Sequence, residues 1–495
     1  MNRSSKVILF TLFSFLLFVG CKEKKQEVDI DLALEGKPNI LLIYTDDQSF
    51  RALQALGNPE INTPIMDKLV KEGTTFTHAY NMGGWNGAIC LASRAMMISG
   101  RNIWRAQEFS ESLSKNQESN KTWPKLMEQQ GYETYMTGKW HISIPPDSIF
   151  NHVKSVLSGM PKDTPEGYNR PLNKKDTLWQ PWKKEFGGYW EGGQHWSELV
   201  RDDALSFISH ASGSTKPFFM YVAFNAPHDP RQAPKSYVDA YDLDSIAIPK
   251  SFMPEYPFAE AMGSGRELRD EMLAPFPRTE YSVKVNRQEY YALVTHLDEQ
   301  IGKILNSLET HNLRENTFIF FTSDHGLAIG EHGLLGKQNM FDHSIRVPFV
   351  MLGPNVPKDK KISTDIYLQD IMATSLELAG VNKPTYVDFN SLLDLATSKT
   401  SKGNYPAVYG CYEEASQRMI RKDNYKLIVY PKIEKLLLFD LRADPLELED
   451  LSSDPRNTPL LRKMFLELME LQEAMGDRLD LHPIFESIFK EDNAV

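Results

Sequence analysis

The chain has 495 residues, enough for one large domain and a smaller one. It is 41% hydrophobic and 24% charged with 29 Gly and 29 Pro, an ordinary globular balance that excludes a disordered tail, a collagen and a multi-span membrane protein. With 55 basic and 66 acidic side chains the net charge is −11, which excludes sequence-independent nucleic-acid binding because that needs a basic face. Its three cysteines, Cys21, Cys90 and Cys411, are too scattered for a disulfide framework or a paired-cysteine zinc site.

Arg3 and Lys6 precede an apolar run of 13 residues, Val7 to Val19. As a helix that run spans roughly 20 Å, short of the ~30 Å hydrocarbon core, so it reads as an export signal and not a membrane span. Gly20-Cys21, followed by the polar stretch Lys22 to Glu27, resembles a bacterial lipoprotein signal, with Phe18 where Leu is usual. That resemblance implies a signal over 1–20, lipidation of Cys21, a solvated tether over 21–36 and a lipid anchor to the membrane. The location is then the cell envelope, outer membrane or periplasm; simple secretion is the alternative. Loss of Arg3 and Lys6 leaves 53 basic residues and a mature charge of −13.

Asn39 to Thr45 is a short Ile-rich apolar run, the pattern of a buried parallel strand. Phe218 to Phe224, Phe318 to Ser323 and Phe349 to Leu352 repeat it. Between them, Glu289 to Thr310 places Val294, Leu297, Ile301, Ile304, Leu305 and Leu308 on one helical face, with Asp298 and Glu299 beside them. Gln369 to Ala379 is a second helix, closed by Gly380. This alternation predicts an α/β domain with a mostly parallel sheet. Residues 142–195 and 229–285 are Pro- and Trp-rich without periodicity and read as elaborated loops. A polar stretch from Asp394 to Tyr405 separates a catalytic domain over 37–395 from a subdomain over 405–495. Short strand-like runs there, and a helix opening at Thr458-Pro459 and ending near Gly476, predict a small antiparallel sheet with one covering helix.

Parallel sheets bind ligands at the carboxyl ends of their strands. Three such ends carry reactive residue types: Asp46-Asp47, His228 and Asp324-His325. Carboxylates with one neutral ligand suit Ca²⁺ or Mg²⁺ better than zinc. Each residue alone has a structural alternative, since Asp often caps a turn and His often packs. Cys90 follows a Gly-rich turn (Gly83, Gly84, Gly87) and opens a helix over Leu91 to Ile98, where backbone N–H groups favour an anion. Arg94 lies one turn further on, on the same side. A buried free cysteine is the alternative.

Cys90-Leu91-Ala92-Ser93-Arg94 with Ser99-Gly100-Arg101 resembles the signature of type I sulfatases of the alkaline phosphatase superfamily, with Ser99 in place of Thr. Five further blocks resemble that family in order. They are Pro38 to Asp47, Gly131 to His141, Asn225 to His228, Ser323 to Gly333 with Lys337, and Leu438 to Leu441 with Asp444-Pro445. The likeness runs from about residue 37 to about residue 455. His325 replaces the Asn of many members, as in iduronate sulfatases and some bacterial polysaccharide sulfatases.

The resemblance implies conversion of Cys90 to formylglycine by a maturation enzyme, and Ca²⁺, in preference to Mg²⁺, held by Asp46, Asp47, Asp324, His325 and the modified Cys90. Arg94 and Lys139 hold the aldehyde hydrate, and His228 or Lys337 protonates the leaving oxygen. His141 then collapses the sulfate hemiester. The substrate implied is a sulfated carbohydrate, such as ulvan or carrageenan oligosaccharides, trimmed from chain ends. Trp179, Trp182, Tyr189, Trp190 and Trp196 can offer flat faces to sugar rings, and Arg105 can extend the basic pocket. Two other functions fit less of the sequence: a phosphodiesterase or phosphonate hydrolase of the same superfamily, and a non-catalytic surface glycan-binding lipoprotein.

Overall fold

Apolar runs without alternation must be covered on both faces, and they form the middle of the main sheet. The structure is a computed structural model that describes residues 36–115, 118–162 and 164–489; the signal run and Cys21 lie outside the described residues. Eight strands build the sheet: β1 (Asn39–Thr45), β2 (Thr74–Phe76), β3 (Glu133–Lys139), β4 (His152–Leu157), β5 (Phe218–Ala223), β6 (Thr317–Ser323), β7 (Phe349–Leu352) and β8 (Lys360–Ile362). Their spatial order is β8-β2-β7-β6-β1-β5-β3-β4. The run β6-β1-β5-β3-β4 is parallel, whereas β7 pairs antiparallel with β6 and β2. This is the expected α/β architecture.

Alternate residues of β1 feed opposite layers, as the pleat dictates. Ile40, Leu42 and Tyr44 pack with α3 (Trp123–Gln129) and α6 (Asp370–Leu378). Leu41 and Ile43 pack with α1 (Pro64–Glu72), α4 (Trp196–Ser212) and α5 (Glu280–Thr310). Helix α2 (Ile89–Ser99) carries Cys90 in its first turn. Among the described residues no helix is long and apolar enough to cross a membrane.

Several boundaries differ from the sequence reading. Helix α5 starts nine residues earlier, where Thr279 and Ser282 form a reciprocal capping box. Its first turns bury Asn286, Arg287 and Glu289, so polar residues break the apolar periodicity there. The start of α5 falls in the stretch 229–285 read as loop, and strand β4 falls in 142–195. Its alternating, half-exposed HVKSVL pattern is that of an edge strand, without the continuous apolar run of the others.

The C-terminal segment forms β9 (Val408–Tyr412), β10 (Gln417–Lys422), β11 (Tyr425–Tyr430) and β12 (Lys435–Asp440), all antiparallel, with α7 (Thr458–Met475) against them. Asn457, not Thr458, occupies the α7 cap. A fifth strand, Gly83–Gly84, joins this sheet from the first half of the chain and pairs in parallel with Cys411 and Tyr412. Gly83 has φ +92°, and a Cβ there would run into the Cys411 carbonyl, so glycine is required. Buried Lys426 of β11 pairs with Asp342 at 2.5 Å and Glu447 at 2.7 Å, fixing the small sheet to the large domain.

Asp298 of α5 accepts the Ile65 and Met66 N–H groups at 3.0 and 2.7 Å, satisfying two otherwise unpaired donors at the start of α1. Asp298→Ala is expected to cost about 2 kcal/mol, the penalty of stranding buried donors, and to lower the urea midpoint. Burial raises the Asp298 carboxyl to about 7. The folded state therefore binds a proton that the unfolded state has released, and this group's contribution to stability falls as pH rises from about 4 through 7. Asp298→Asn should flatten that slope; an unchanged pH profile would show that Asp298 does not contribute to it.

Candidate active site

The register of the central strands brings the predicted residues together. Thr45 of β1 lies opposite Ser323 of β6, so the next residues, Asp46 and Asp324, emerge side by side. Ala223 of β5 lies opposite both Tyr44 and Gly138, which places His228 and Lys139 at the same edge. A Cβ on Gly138 would run into the Ala223 carbonyl, so the close approach of β3 and β5 needs a glycine just before Lys139.

Asp47 adopts φ 62° and is held there by its own backbone: its N–H donates to Asp324 Oδ1 at 3.2 Å, and its carbonyl accepts from Tyr290 Oη at 2.9 Å. Cys90 stands above, 3% exposed, with Sγ 3.2 Å from Asp46 Oδ1 and 3.7 Å from Asp47 Oδ1. Burial first, then Asp324 and Asp46, push its thiol well above the ordinary range, so the side chain is not an activated thiolate. Arg94, one turn along α2, donates to Asp324 Oδ2 at 3.0 Å and to the Lys139 carbonyl at 3.1 Å. Its guanidinium lies over the Tyr44 ring. Lys139 pairs with Asp46. Lys337 donates to both Asp47 oxygens, at 2.6 and 2.8 Å, and to Cys90 Sγ at 3.1 Å.

Burial raises Asp46 and Asp47 to about 6, with Asp324 adding to both shifts. Asp324 goes the other way: burial opposes its charge, but Arg94, Lys139 and Lys337 hold its carboxyl far below the usual range. Asp46, Asp47, Cys90 and His228 each offer a ligand atom within 4.8 Å of the others. Asp324 falls outside that group of four, as does His325. His325 Nδ1 donates to the Gly326 carbonyl at 3.0 Å, while its buried Nε2 has no partner, the tautomer expected of a metal-binding imidazole. Three buried carboxylates and an orphaned imidazole nitrogen fit a hard divalent cation.

His228 Nδ1 donates to the Asp229 carbonyl at 2.8 Å and lies 3.1 Å from its carboxylate, which turns Nε2 toward Asp47 at 3.5 Å. Asp229 in turn accepts from Tyr168 and pairs with Arg269, both at 3.1 Å. These three residues were not singled out from the sequence. Asp229 could have been suspected as the neighbour of His228, but Tyr168 and Arg269 lie in aperiodic loops that give no local signal. His141 is half-buried with Nδ1 unpartnered, and burial with Lys139, Arg94 and Lys337 lowers its imidazole to about 3, keeping it neutral.

Two expectations are corrected. Arg105 lies in the next helix, Ile103–Ser114, beyond the left-handed Gly100 that ends α2. There it pairs with Asp388, which anchors the Gly100 carbonyl, so it does not join the basic pocket. Tyr189, Trp190 and Trp196 are core residues packed around His195, with no face for a sugar. Trp179 and Trp182 instead line a cavity of about 170 Å³ with Arg231, Asn286 and Glu289.

Residues 38–381 match the sulfatase family model, and residues 330–474 match the C-terminal model of N-sulphoglucosamine sulphohydrolase. The chain is 25% identical to an N-acetylglucosamine-6-O-sulfatase of Bacteroides thetaiotaomicron, over 96% of this chain and 92% of that one. It is 27% identical to an ulvan-active sulfatase of Formosa agariphila, over 95% and 86%. A solved structure in complex with its substrate D-glucosamine-2-N,6-O-disulfate shares the fold, with a TM-score of 0.69 at 22% identity and coverage of 90% and 99%. Since the family model spans well over half of the chain, and the same segment supplies Asp46, Cys90, Lys139, His228 and Lys337, the chain belongs to the sulfatase family of the alkaline phosphatase superfamily and is a sulfuric ester hydrolase.

Proposed function

We propose that this sulfatase removes sulfate from sulfated carbohydrates, using formylglycine made from Cys90 and Ca²⁺ held by Asp46, Asp47 and Asp324, with His325 as the neutral ligand. The observation that carries the reading is Cys90 in the first turn of α2, facing Asp46, Asp47 and Lys337 with Arg94 behind it. The carbohydrate class rests on likeness to the glucosamine and ulvan sulfatases. Ulvan oligosaccharides are the first candidates, and a maturation enzyme is the implied partner. The export-signal pattern around Cys21 supports a lipid-anchored site of action at the cell envelope.

An aldehyde at position 90, once hydrated, sets an oxygen nucleophile where the thiol stands. The cation, when bound, supplies charge neutralisation and polarises sulfate oxygens. Arg94 and Lys139 stay fixed through Asp324 and Asp46 and present a rigid positive wall. Lys337 is committed to Asp47 and the Cys90 side chain and steadies the nucleophile. His228 is the proton donor to the leaving alcohol, since Asp229 fixes its ring and Nε2 makes no hydrogen bond of its own. His141, neutral and unpartnered at Nδ1, takes the proton that must leave in the second step. Because the site lies under buried side chains, a chain end reaches it more readily than the middle of a polymer.

A panel of sulfated oligosaccharides, a small aryl sulfate and an aryl phosphonate tests this reading. Sulfate release from at least one carbohydrate is expected, lost on chelation and restored by Ca²⁺. Turnover of the aryl phosphonate without sulfate release from any sugar would overturn the carbohydrate assignment. Mass spectrometry of the peptide around Cys90 is expected to show the aldehyde in active enzyme, and Cys90→Ala is expected to abolish turnover with the fold intact. Full activity with an unmodified thiol would refute the formylglycine step. A Cβ on Gly159 would sit 2.7 Å from the His141 ring. Gly159→Ala is therefore expected to displace the ring and reduce kcat by roughly 10- to 100-fold, with Cys90 conversion unaffected; wild-type kcat would remove His141 from the mechanism.

A further inference from the structure

At the opposite side of β3 from the active-site edge, three metal-binding side chains come together from three separate elements. Glu133 opens β3, His152 opens the edge strand β4, and His210 lies in the last turn of α4. Each offers one ligand atom within 4.8 Å of the others. We propose that Glu133, His152 and His210 form a second cation site, for a transition metal of the zinc class, independent of the catalytic centre and of the reading given to it.

Two imidazoles with one carboxylate select zinc-like ions, whereas the three carboxylates Asp46, Asp47 and Asp324 with one imidazole, His325, suit calcium-like ones. His152 Nε2 and Glu133 Oε1 are 2.9 Å apart, close to the separation of two donors sharing one tetrahedral ion. His210 is exposed, so moving its ring by about 1 Å to complete the set meets no packing resistance. Its ring centroid already lies 4.7 Å from that of His152.

Tyr135 supplies the supporting shell. Its ring stacks on His152 at 4.6 Å, and its hydroxyl lies 2.9 Å from His210 Nδ1 while also hydrogen-bonding Glu133. With the hydroxyl proton given to the Glu133 carboxylate, the phenol oxygen accepts from His210 Nδ1–H. That leaves His210 Nε2 with a lone pair, the arrangement that fixes the tautomer of metal-binding histidines. A bound ion would add a side-chain tie at the start of the edge strand β4, joining it to α4 as well as to β3, with which it already pairs in parallel.

The test is calorimetric titration of untagged protein with Zn²⁺ in excess Ca²⁺, paired with thermal unfolding. One zinc per chain and a raised Tm are expected. Binding should fall at least tenfold in His152→Gln and in His210→Gln, and persist in Asp46→Asn. Neither histidine variant should change sulfate release, which also reports that both fold. Absence of zinc binding up to 100-fold over protein would overturn the site, as would zinc binding unaltered in the double histidine variant.

Discussion

Charge balance in a dry space governs this molecule. Asp46, Asp47 and Asp324 are fully buried at the ends of two adjacent strands, and isolated carboxylates there would be prohibitively costly. Arg94, Lys139 and Lys337, just as deeply buried, cancel them one for one. Each cation arrives from a different element: Arg94 from α2, Lys139 from the end of β3 and Lys337 from the loop after β6. The sheet register, the approach of α2 and the path of that loop must all be correct together, or a buried charge is stranded. A divalent cation added to this neutral set leaves net positive charge, which suits an anionic ester.

The parts of the fold legible from sequence are those with one dominant local signal. β1, β5 and β6 are short, apolar and β-branched or aromatic, and their ends announce the site because Asp46 and Asp324 directly follow β1 and β6 and His228 comes five residues after β5. Cys90 and Arg94 are legible because one helical turn separates them next to a Gly-rich entry. The early turns of α5 were hidden because Asn286, Arg287 and Glu289 are buried polar residues with partners far away in sequence, so periodicity failed where the packing is polar. Strand β4 was hidden because an edge strand needs only half its residues buried.

Side-chain partnerships were the least legible layer. Arg105 had the right charge and lay close in sequence to the motif, yet it stands on the next helix, Ile103–Ser114, where Asp388 claims the guanidinium. The aromatic residues after Trp179 had the composition of a sugar platform. Three of them instead enclose His195, whose Nδ1 caps α4 and whose Nε2 meets the Gln232 carbonyl, so they insulate a polar group inside the core. Asp229 escaped notice for a related reason: its role is to orient His228, and such a role is visible only as a distance.

The pairing of Gly83–Gly84 with β9 has a consequence in time. The two glycines lie seven and six residues before Cys90, and their partner strand is more than 300 residues later in the chain. During synthesis the segment leading to Cys90 therefore stays unclosed until almost the whole polypeptide has been made. Once β9 docks, the turn that leads into α2 is fixed by its pairing with Cys411 and Tyr412. The entry to α2, and with it the setting of residue 90, thus depends on a partner strand that is made late.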